Sequence, residues 1–370
     1  MTFDLIFVHL LNDFSGSPKV LKETIYAVTS HSGHAKLYLG SSGEGFLANC
    51  GIPTIRYWYH RTNHRLLTLF SYFLSQVTLF VKLLSDRTID RDAVIFVNTL
   101  LPFGAALYGK LTDRKVIYHV HEISVTPKPL KAFLTGIARL TSSLNLYVSQ
   151  SHMAALPIQG VSSRCIYNSL DASFVCRAAE ATYGQRQNGA FNVLTIASLR
   201  DYKGIPELLS LASSLRSMND IHFDLVVNDE QQAISRYFAD KTIPENLRVH
   251  PRTNDTTSFY QKASVVLNLS RVDQWIETFG LTILEAMAFG IPVIVPPVGG
   301  PAELVEDGVQ GYLVNSCASS FLHDRLMTLV NDEALCLRMS KACCKRADDF
   351  SPEVFAHNIR SALRVVIDGT

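Results

Sequence analysis

Short apolar runs alternate with segments of helical periodicity along most of the chain. In the first part, the runs that predict buried strands are Leu5–His9, Lys36–Leu39, Ala93–Val97, Lys115–His119 and Leu144–Val148. The segments that predict helices include Lys19–Ser30, Leu66–Ser85 and Pro129–Thr141. Near-continuous apolar strands separated by helices are typical of a parallel, doubly wound α/β sheet.

The alternation is interrupted once, at Ala178–Ala190, which is polar, contains glycine and has no periodicity. Such a stretch favours a linker. Beyond it, predicted strands are Asn192–Ala197, His222–Val227, Leu247–His250, Ser264–Leu269, Pro292–Val295 and Gly311–Val314. Predicted helices are Ile205–Ser217, Ala233–Asp240, Thr256–Lys262, Thr282–Phe289, Ser319–Asp332 and Ala334–Asp348. We therefore predict two Rossmann-like domains, 1–180 and 181–350, facing across a cleft at the carboxyl ends of both sheets, and a helix in 351–370 that crosses back to the first domain.

Composition narrows the function classes. Hydrophobic residues make up 47% of the 370 residues and charged residues 18%, which indicates a globular chain. The net charge of +1 gives no sign of a general nucleic-acid binder. The seven cysteines are odd in number and form no C-x-x-C pair, so neither a zinc site nor a disulfide framework is expected, and a reducing cytoplasm fits best. The N-terminal stretch M-T-F-D-L-I-F-V is predicted to be a strand and not a signal peptide, because it carries an acid where a basic region is needed.

One segment raises the question of a membrane. Leu66–Val81 is free of charge but shorter than the roughly 20 residues that a spanning helix needs. Its polar residues form one narrow helical stripe, and the rest of the helix is apolar. Basic and aromatic residues precede it in R-Y-W-Y-H-R. Two interpretations stay open: a buried core helix, or peripheral contact of the protein with the cytoplasmic face of an inner membrane.

The stretch E-T-F-G-L-T-I-L-E-A-M-A-F-G-I-P-V-I-V contains two glutamates, Glu277 and Glu285, in nearly apolar surroundings. A carboxylate in such surroundings is costly unless a partner satisfies it. A helix predicted near Thr282 presents backbone N–H groups and a positive dipole end, which suit a diphosphate. Gly280 allows the backbone to approach an anion closely. Either a partner at the start of this helix satisfies the two carboxylates, or they face outward by chance.

This stretch and its surroundings, Ser264–Val314, resemble the donor-binding domain of the family-4 retaining glycosyltransferases, which have the GT-B fold. Glu277 and Glu285 match the E-x7-E pair of that family. The resemblance implies that Glu277 contacts the donor sugar and Glu285 the ribose, and that Phe279, Gly280 and Leu281 bind the donor. Gly299 and Gly300 open a similar G-G-x-x-E turn, for which an ordinary glycine turn is the alternative.

The resemblance assigns further residues by position. Arg200 and Lys203, after a predicted strand, match the basic pair that binds the donor diphosphate in similar enzymes. His121 matches a histidine that hydrogen-bonds the transferred sugar, and His119 is expected to point the other way. Gly16 and Ser17 lie where relatives have a paired-glycine loop near acceptor and phosphate. His60, Arg61 and Ser17 are the candidates for acceptor binding.

The sequence thus predicts a retaining glycosyltransferase, a transferase that moves a hexose from a nucleoside-diphosphate sugar to a saccharide or lipid-linked acceptor in bacterial surface polysaccharide or lipopolysaccharide synthesis. No cofactor or metal is expected, since two cations can stabilise the leaving diphosphate. The stretch V-V-N-D-E at 226–230 departs from the glycine-rich turn of relatives and leaves the donor base open. The alternatives are a non-hydrolysing sugar-nucleotide epimerase and a non-catalytic nucleotide-sugar-binding protein.

Overall fold

The computed structural model describes residues 4–29, 34–40, 44–62, 64–253 and 255–368. They form two compact units, of which the first comprises Met1–Asn168 and Pro352–Thr370 and the second Ser169–Ser351. The division near residue 168 lies earlier than the predicted boundary after residue 180. Helix Ala172–Ala179 explains the difference, because it begins before the predicted linker and belongs to the second unit.

The first unit is built on a seven-stranded parallel sheet. Its strands are β1 (Leu5–His9), β2 (Ala35–Gly40), β3 (Thr54–Tyr57), β4 (Val94–Asn98), β5 (Val116–Val120), β6 (Leu144–Tyr147) and β7 (Ser163–Cys165), in the order β3-β2-β1-β4-β5-β6-β7. Strand β1 is central and fully buried, pairing with β2 on one side and β4 on the other. This is the doubly wound arrangement that the apolar runs predict, with two short strands, β3 and β7, that they did not reveal.

Five helices connect these strands: α1 (Gly16–Thr29), α2 (Arg65–Ser85), α3 (Phe103–Leu111), α4 (Lys128–Thr141) and α5 (Gln150–Ala155). Helix α2 is oriented in an unexpected way. Its polar stripe faces the unit, with Ser71, Ser75 and Gln76 buried, whereas much of its apolar surface is exposed. Within the described part of the chain, α2 is the one helix long and apolar enough to cross a membrane by length and composition.

The second unit contains a six-stranded parallel sheet. Its strands are β8 (Phe191–Ala197), β9 (Ile221–Val227), β10 (Leu247–His250), β11 (Val265–Leu267), β12 (Val293–Val295) and β13 (Gly311–Leu313), in the order β10-β9-β8-β11-β12-β13. Its helices are α6 (Ala172–Ala179), α7 (Ile205–Ser214), α8 (Gln231–Tyr237), α9 (Thr257–Tyr260), α10 (Leu281–Ala288), α11 (Pro301–Leu304), α12 (Ser319–Asn331) and α13 (Glu333–Ala347). A core formed by β8, β9 and β11 with helices α7 and α12 holds this unit together.

Helix α14 (Pro352–Asp368) completes the first unit and packs on α1. Phe355, Ile359 and Leu363 are buried on its inner face. The Arg360 guanidinium donates a hydrogen bond to the carbonyl oxygen of Ala27 at 2.9 Å. The last helix of the described chain is therefore part of the same body as the first.

Candidate active site

An ion pair lies at the carboxyl ends of the strands in the second unit. Lys203 Nζ lies 2.6 Å from Glu277 Oε2, and both side chains are largely shielded from solvent. Lys203 lies in a 3-10 turn that follows β8, and Glu277 lies in the loop after β11, the neighbouring strand. Because the carboxyl ends of parallel strands share one edge of a sheet, residues 74 positions apart meet there. The predicted sugar and diphosphate contacts are thus brought together.

Aromatic side chains support this ion pair. The ammonium of Lys203 lies 5.3 Å from the centroid of the Trp275 ring, and Trp275 stacks on Tyr202 at 5.1 Å. The backbone N–H of Arg271 donates to the carbonyl oxygen of Tyr202 at 2.8 Å and so fastens the two loops to each other. The resemblance gave no role to Tyr202 or Trp275. They hold Lys203 in a defined position from which it can meet an anion.

Arg200 differs from Lys203 in being exposed. Its guanidinium donates to the carbonyl oxygen of Leu199 at 2.8 Å, and its own carbonyl oxygen accepts from the backbone N–H of Lys203 at 2.9 Å. The same turn is tied to the unusual V-V-N-D-E loop, because the Asp229 carboxylate accepts from the Leu199 N–H at 3.2 Å. Arg200 and Lys203 therefore belong to one fixed turn with two cationic side chains.

Three glycines shape the loop that carries Glu277. Gly280 has a φ of 103°, a left-handed conformation, and caps the start of α10. A Cβ on Gly299 would lie 2.5 Å from the carbonyl oxygen of Glu277, and one on Gly300 would lie 2.3 Å from Phe279 Cα. The glycine pair thus allows close backbone packing against the predicted donor loop, and a ligand role for this turn stays a prediction.

Glu285 is buried, with 6% of its surface exposed. Its carboxylate accepts a hydrogen bond of 2.6 Å from the Tyr260 hydroxyl, and Tyr260 stacks on Phe289. Burial, and secondly the nearby carboxylate, raise the pKa of Tyr260 well above its usual range, so the hydroxyl keeps its proton and acts as a donor. Tyr260 was not predicted, because nothing in its local sequence points to a residue 25 positions away.

The other predicted donor contacts at this helix differ in exposure. The Phe279 side chain is buried and packs edge-on against Phe350 at 6.0 Å. It therefore offers a ligand only its backbone in this structure. Leu281, the first residue of α10, is partly exposed. The start of this helix thus presents backbone and a partly exposed leucine.

A second cluster lies at the carboxyl edge of the sheet in the first unit. Asn98, at the end of β4, contacts three neighbours. Its amide nitrogen donates to the carbonyl oxygen of Ser17 at 3.1 Å and lies 3.1 Å from His9 Nδ1. Its amide oxygen lies 3.0 Å from His121 Nε2. Since the amide nitrogen is the donor to Ser17, the amide oxygen accepts from His121, which places a proton on Nε2. Asn98 was missed, although a polar residue ending the apolar run V-I-F-V could have signalled it.

The expected orientation of His119 is wrong. The rings of His119 and His121 lie 4.4 Å apart, on the same side of β5. The physical reason is the period of two in a strand, which puts residues i and i+2 on one face. His119 is fully buried, and neither of its ring nitrogens has a hydrogen-bond partner among the described residues.

Burial dominates the protonation of four histidines in this unit. It lowers the pKa of His9 to about 4, of His119 to about 3 and of His152 to about 4, and lowers that of His121 well below its usual range. All four rings are therefore neutral at pH 7. A neutral His121 can exchange hydrogen bonds with a hydroxyl without carrying charge into the site.

The remaining predicted residues are divided between two places. Gly16 opens α1 and is exposed, and Ser17 follows it with its carbonyl oxygen bound to Asn98. His60 and Arg61 are exposed in the loop between β3 and α2, where the Ser71 hydroxyl donates to the carbonyl oxygen of His60 at 2.6 Å. Strand β3 is at the sheet edge, whereas the Asn98 cluster lies at β1, β4 and β5. The structure thus places Ser17 with His121 and leaves His60 and Arg61 elsewhere.

Solved structures share this fold. The crystal structure of HepE from Anabaena in complex with UDP and glucose is similar with a TM-score of 0.76 at 20% identity, covering 97% of this chain and 98% of that one. The predicted GT-B fold is confirmed. Residues 184–346 match the family model of the glycosyl transferases group 1, which confirms the predicted resemblance over that stretch. Membership of family 4 in particular stays a prediction.

Two relatives with named activities match the chain over different lengths. The N-acetyl-alpha-D-glucosaminyl L-malate synthase of Bacillus anthracis is 21% identical over 321 residues, 82% of this chain and 81% of that protein. The D-inositol 3-phosphate glycosyltransferase of Kribbella flavida is 36% identical over 110 residues, 30% of this chain and 25% of that protein. The chain spans less than half the length of the first three curated relatives that it matches.

Proposed function

We propose that the protein is a retaining glycosyltransferase that moves a hexosyl group from a nucleoside-diphosphate sugar to a saccharide or lipid-linked saccharide. The observation that carries this proposal is the shielded Lys203–Glu277 pair at 2.6 Å, with Arg200 on the same turn. Breaking the bond between sugar and phosphate leaves negative charge on the diphosphate. Fixed cations that meet this charge stabilise the transition state without solvent reorganisation.

Each predicted residue then has one task. Lys203 exchanges Glu277 for the diphosphate, and Arg200 binds the same group from the exposed side of the turn. Glu277, released from Lys203, accepts hydrogen bonds from sugar hydroxyls. Glu285 accepts from the ribose diol, and His121 meets the transferred sugar. Positioning and electrostatics are the whole contribution of the protein, so no protein nucleophile and no metal are required.

In this scheme the acceptor hydroxyl enters on the same face of the donor sugar from which the diphosphate leaves. The bond from the anomeric carbon to the diphosphate oxygen breaks, the bond to the acceptor oxygen forms on the same face, and the acceptor proton passes to the departing diphosphate oxygen. The configuration at the anomeric carbon is therefore retained. We further propose a cytoplasmic role in surface polysaccharide synthesis, which fits the odd cysteine count without a C-x-x-C pair. HepE, whose structure holds UDP and glucose, supports a nucleoside-diphosphate sugar as the donor.

The first experiment measures thermal unfolding with UDP, GDP, dTDP, CDP and ADP on the wild type, on Lys203→Met and on Arg186→Gln. A ligand at about 100 times its dissociation constant stabilises by about 2.7 kcal/mol, which raises the unfolding temperature by about 5–10 °C. We expect one nucleotide to stabilise the wild type and Arg186→Gln, and to lose most of its effect on Lys203→Met. Arg186 is a matched control, since it pairs with Asp220 on the surface of the same unit.

Turnover of the matching nucleotide sugar separates the alternatives. We expect nucleotide release only with a saccharide acceptor, at a rate that Lys203→Met lowers by about 100-fold or more, and that a chelator leaves unchanged. Conversion of the donor without an acceptor would instead show an epimerase, and binding without turnover on any acceptor would show a non-catalytic protein. Inverted anomeric configuration in the product would refute retention alone.

A further inference from the structure

Helix α2 presents polar side chains to the protein and apolar side chains to solvent. On the inner side, the Ser71 hydroxyl donates to the carbonyl oxygen of His60, and the Gln76 side-chain oxygen accepts from the Gly104 N–H at 3.1 Å. On the outer side, six apolar residues are each more than half exposed: Leu66, Leu67, Phe70, Val77, Val81 and Leu84. A helix that packs on a sheet normally has the opposite arrangement. The outer face of α2 is therefore apolar and exposed, whereas a surface of this composition is normally buried against another structure.

The helix is held firmly on its unit. The Tyr72 hydroxyl donates to the carbonyl oxygen of Leu101 at 2.7 Å. A Cβ on Gly104 would lie 2.4 Å from the carbonyl oxygen of Gln76, so α2 and α3 touch at the backbone. These contacts favour a helix that lies on a membrane surface over one that leaves its unit to span a bilayer.

The apolar surface continues onto the neighbouring helix α4. Phe133, which is 40% exposed, has its ring centroid 5.9 Å from that of Phe73 on α2 and 5.1 Å from that of Phe103 on α3. Leu140, which lies about two helical turns after Phe133 on α4, is 65% exposed. Contiguous apolar surface of this kind on a soluble unit marks an interaction site.

Charge indicates what covers this surface. No acidic residue occurs between Glu44 and Asp86 or between Glu122 and Asp171, the stretches that contain α2 and α4. The first unit has 18 lysines and arginines against 11 acids, whereas the second has 16 against 22. Arg61 and Arg65 lie exposed at the start of α2, and Lys128 and Arg139 lie exposed on α4. The apolar face is thus set in a basic surface on a chain whose net charge is only +1.

We propose that the exposed apolar face of α2, continued by α4, binds the surface of an anionic lipid bilayer, with α2 lying in the plane of the interface. Apolar side chains would enter the boundary between headgroups and acyl chains, and the flanking arginines and lysines would meet anionic headgroups. A second copy of this chain fits less well, because two units with the same positive excess repel each other. A lipid-linked acceptor, one of the proposed acceptor classes, would lie at the same surface.

Vesicle flotation of the full chain tests this proposal. Vesicles of phosphatidylglycerol and phosphatidylcholine are compared with vesicles of phosphatidylcholine alone, at low and high salt. The variant Phe70→Gln/Val77→Gln removes two exposed apolar side chains and keeps helix propensity. Phe321→Gln/Leu337→Gln is its matched control, since both residues are exposed on helices of the second unit. Arg61→Gln/Arg65→Gln tests the charge contribution.

We expect the wild type and the matched control to float with anionic vesicles, and binding to weaken in high salt. Phe70→Gln/Val77→Gln should reduce the partition constant by about tenfold or more, and each removed arginine by about fivefold. Absence of wild-type flotation, or wild-type affinity of the apolar variant, would overturn the proposal. So would a wild-type dimer in solution that this variant converts to a monomer. Neither donor nor acceptor is present, so failure here leaves the proposed transfer reaction untouched.

Discussion

Two carboxylates eight residues apart have opposite surroundings. Glu277 is paired with a cation at a loop edge, and Glu285 is buried with a neutral hydroxyl donor. An ion pair that an incoming anion can split suits a residue that changes partners during a reaction. A buried carboxylate with a neutral donor stays in one place, because removing its partner would leave charge unsatisfied in an apolar environment. The same side chain can therefore change partners at position 277, whereas at position 285 it is held in place by Tyr260 before the ribose arrives.

The Tyr260 hydroxyl is expected to stabilise the second unit. Tyr260→Phe removes one donor from a buried carboxylate and should lower the free energy of unfolding by about 1–3 kcal/mol. Urea unfolding followed by circular dichroism, which reports both units, measures this change. Tyr26→Phe, at an exposed tyrosine of the first unit, should change stability by less than about 0.5 kcal/mol. Equal stability of Tyr260→Phe and wild type would show that other groups satisfy Glu285 fully.

At the scale of elements, strongly apolar strands were predictable and weakly apolar ones were not. The run at 93–97 predicted β4 to within one residue, because all five of its residues are buried. Strand β3 has only one buried residue among its four and carries no such run. Helix α6 was partly taken for linker, although its N-cap was visible: Asp171 accepts from the N–H groups of Ser173 and Phe174. The pattern of apolar residues reveals elements that are buried, and elements at the edge of a sheet have few buried residues.

The candidate site divides in a similar way. Lys203 and Glu277 could be placed together because both follow buried strands of one sheet and belong to a motif. Asn98 and Tyr260 could not, since their contacts depend on packing between elements far apart in sequence. The same limit applies to the orientation of α2. A helical pattern of polar and apolar residues shows that the helix has two different faces, but it does not show which face packs on the unit.

Gly204 fixes the junction between the turn of Lys203 and helix α7. It has a φ of 81°, and an added Cβ would lie 2.1 Å from the carbonyl oxygen of Leu269. Gly204→Ala should therefore cost about 3 kcal/mol or more in unfolding free energy, from backbone strain and from the clash. Gly189→Ala is the control, with a φ of 82° and no atom within 4 Å of its Cβ, and should cost about 1 kcal/mol. Chemical denaturation measures both, and equal costs would show that the loop near Leu269 yields.

At the scale of the whole molecule, the two units differ in how acid affects them. The four histidines whose pKa is lowered among the described residues, His9, His119, His121 and His152, all belong to the first unit. Their unfolded pKa is about 6.5, so below that pH the unfolded chain binds protons that the folded unit does not. Stability is therefore complete above pH 6.5 and falls as the pH drops toward 4, by at most about 1.4 kcal/mol per pH unit for each histidine.

Acidification from pH 7 to pH 5 is accordingly expected to unfold the first unit at a lower temperature than the second. Single-tryptophan variants report each unit: Trp275→Phe keeps Trp58, and Trp58→Phe keeps Trp275. Their thermal midpoints should separate at pH 5. His119→Phe should narrow the gap, because a phenylalanine ring takes up no proton, whereas the exposed His357→Gln should not. Midpoints that move together at every pH would contradict this expectation.

The return of α14 to α1 has a consequence for the order in which the protein is made. A ribosome delivers the seven strands of the first unit early, but α14, which packs on α1, follows the whole of the second unit. The second unit, Ser169–Ser351, is complete before then and can fold as soon as it leaves the ribosome. The first unit should thus finish folding after the second, and a nascent chain stalled before Pro352 should hold one folded unit and one that is still accessible to chaperones.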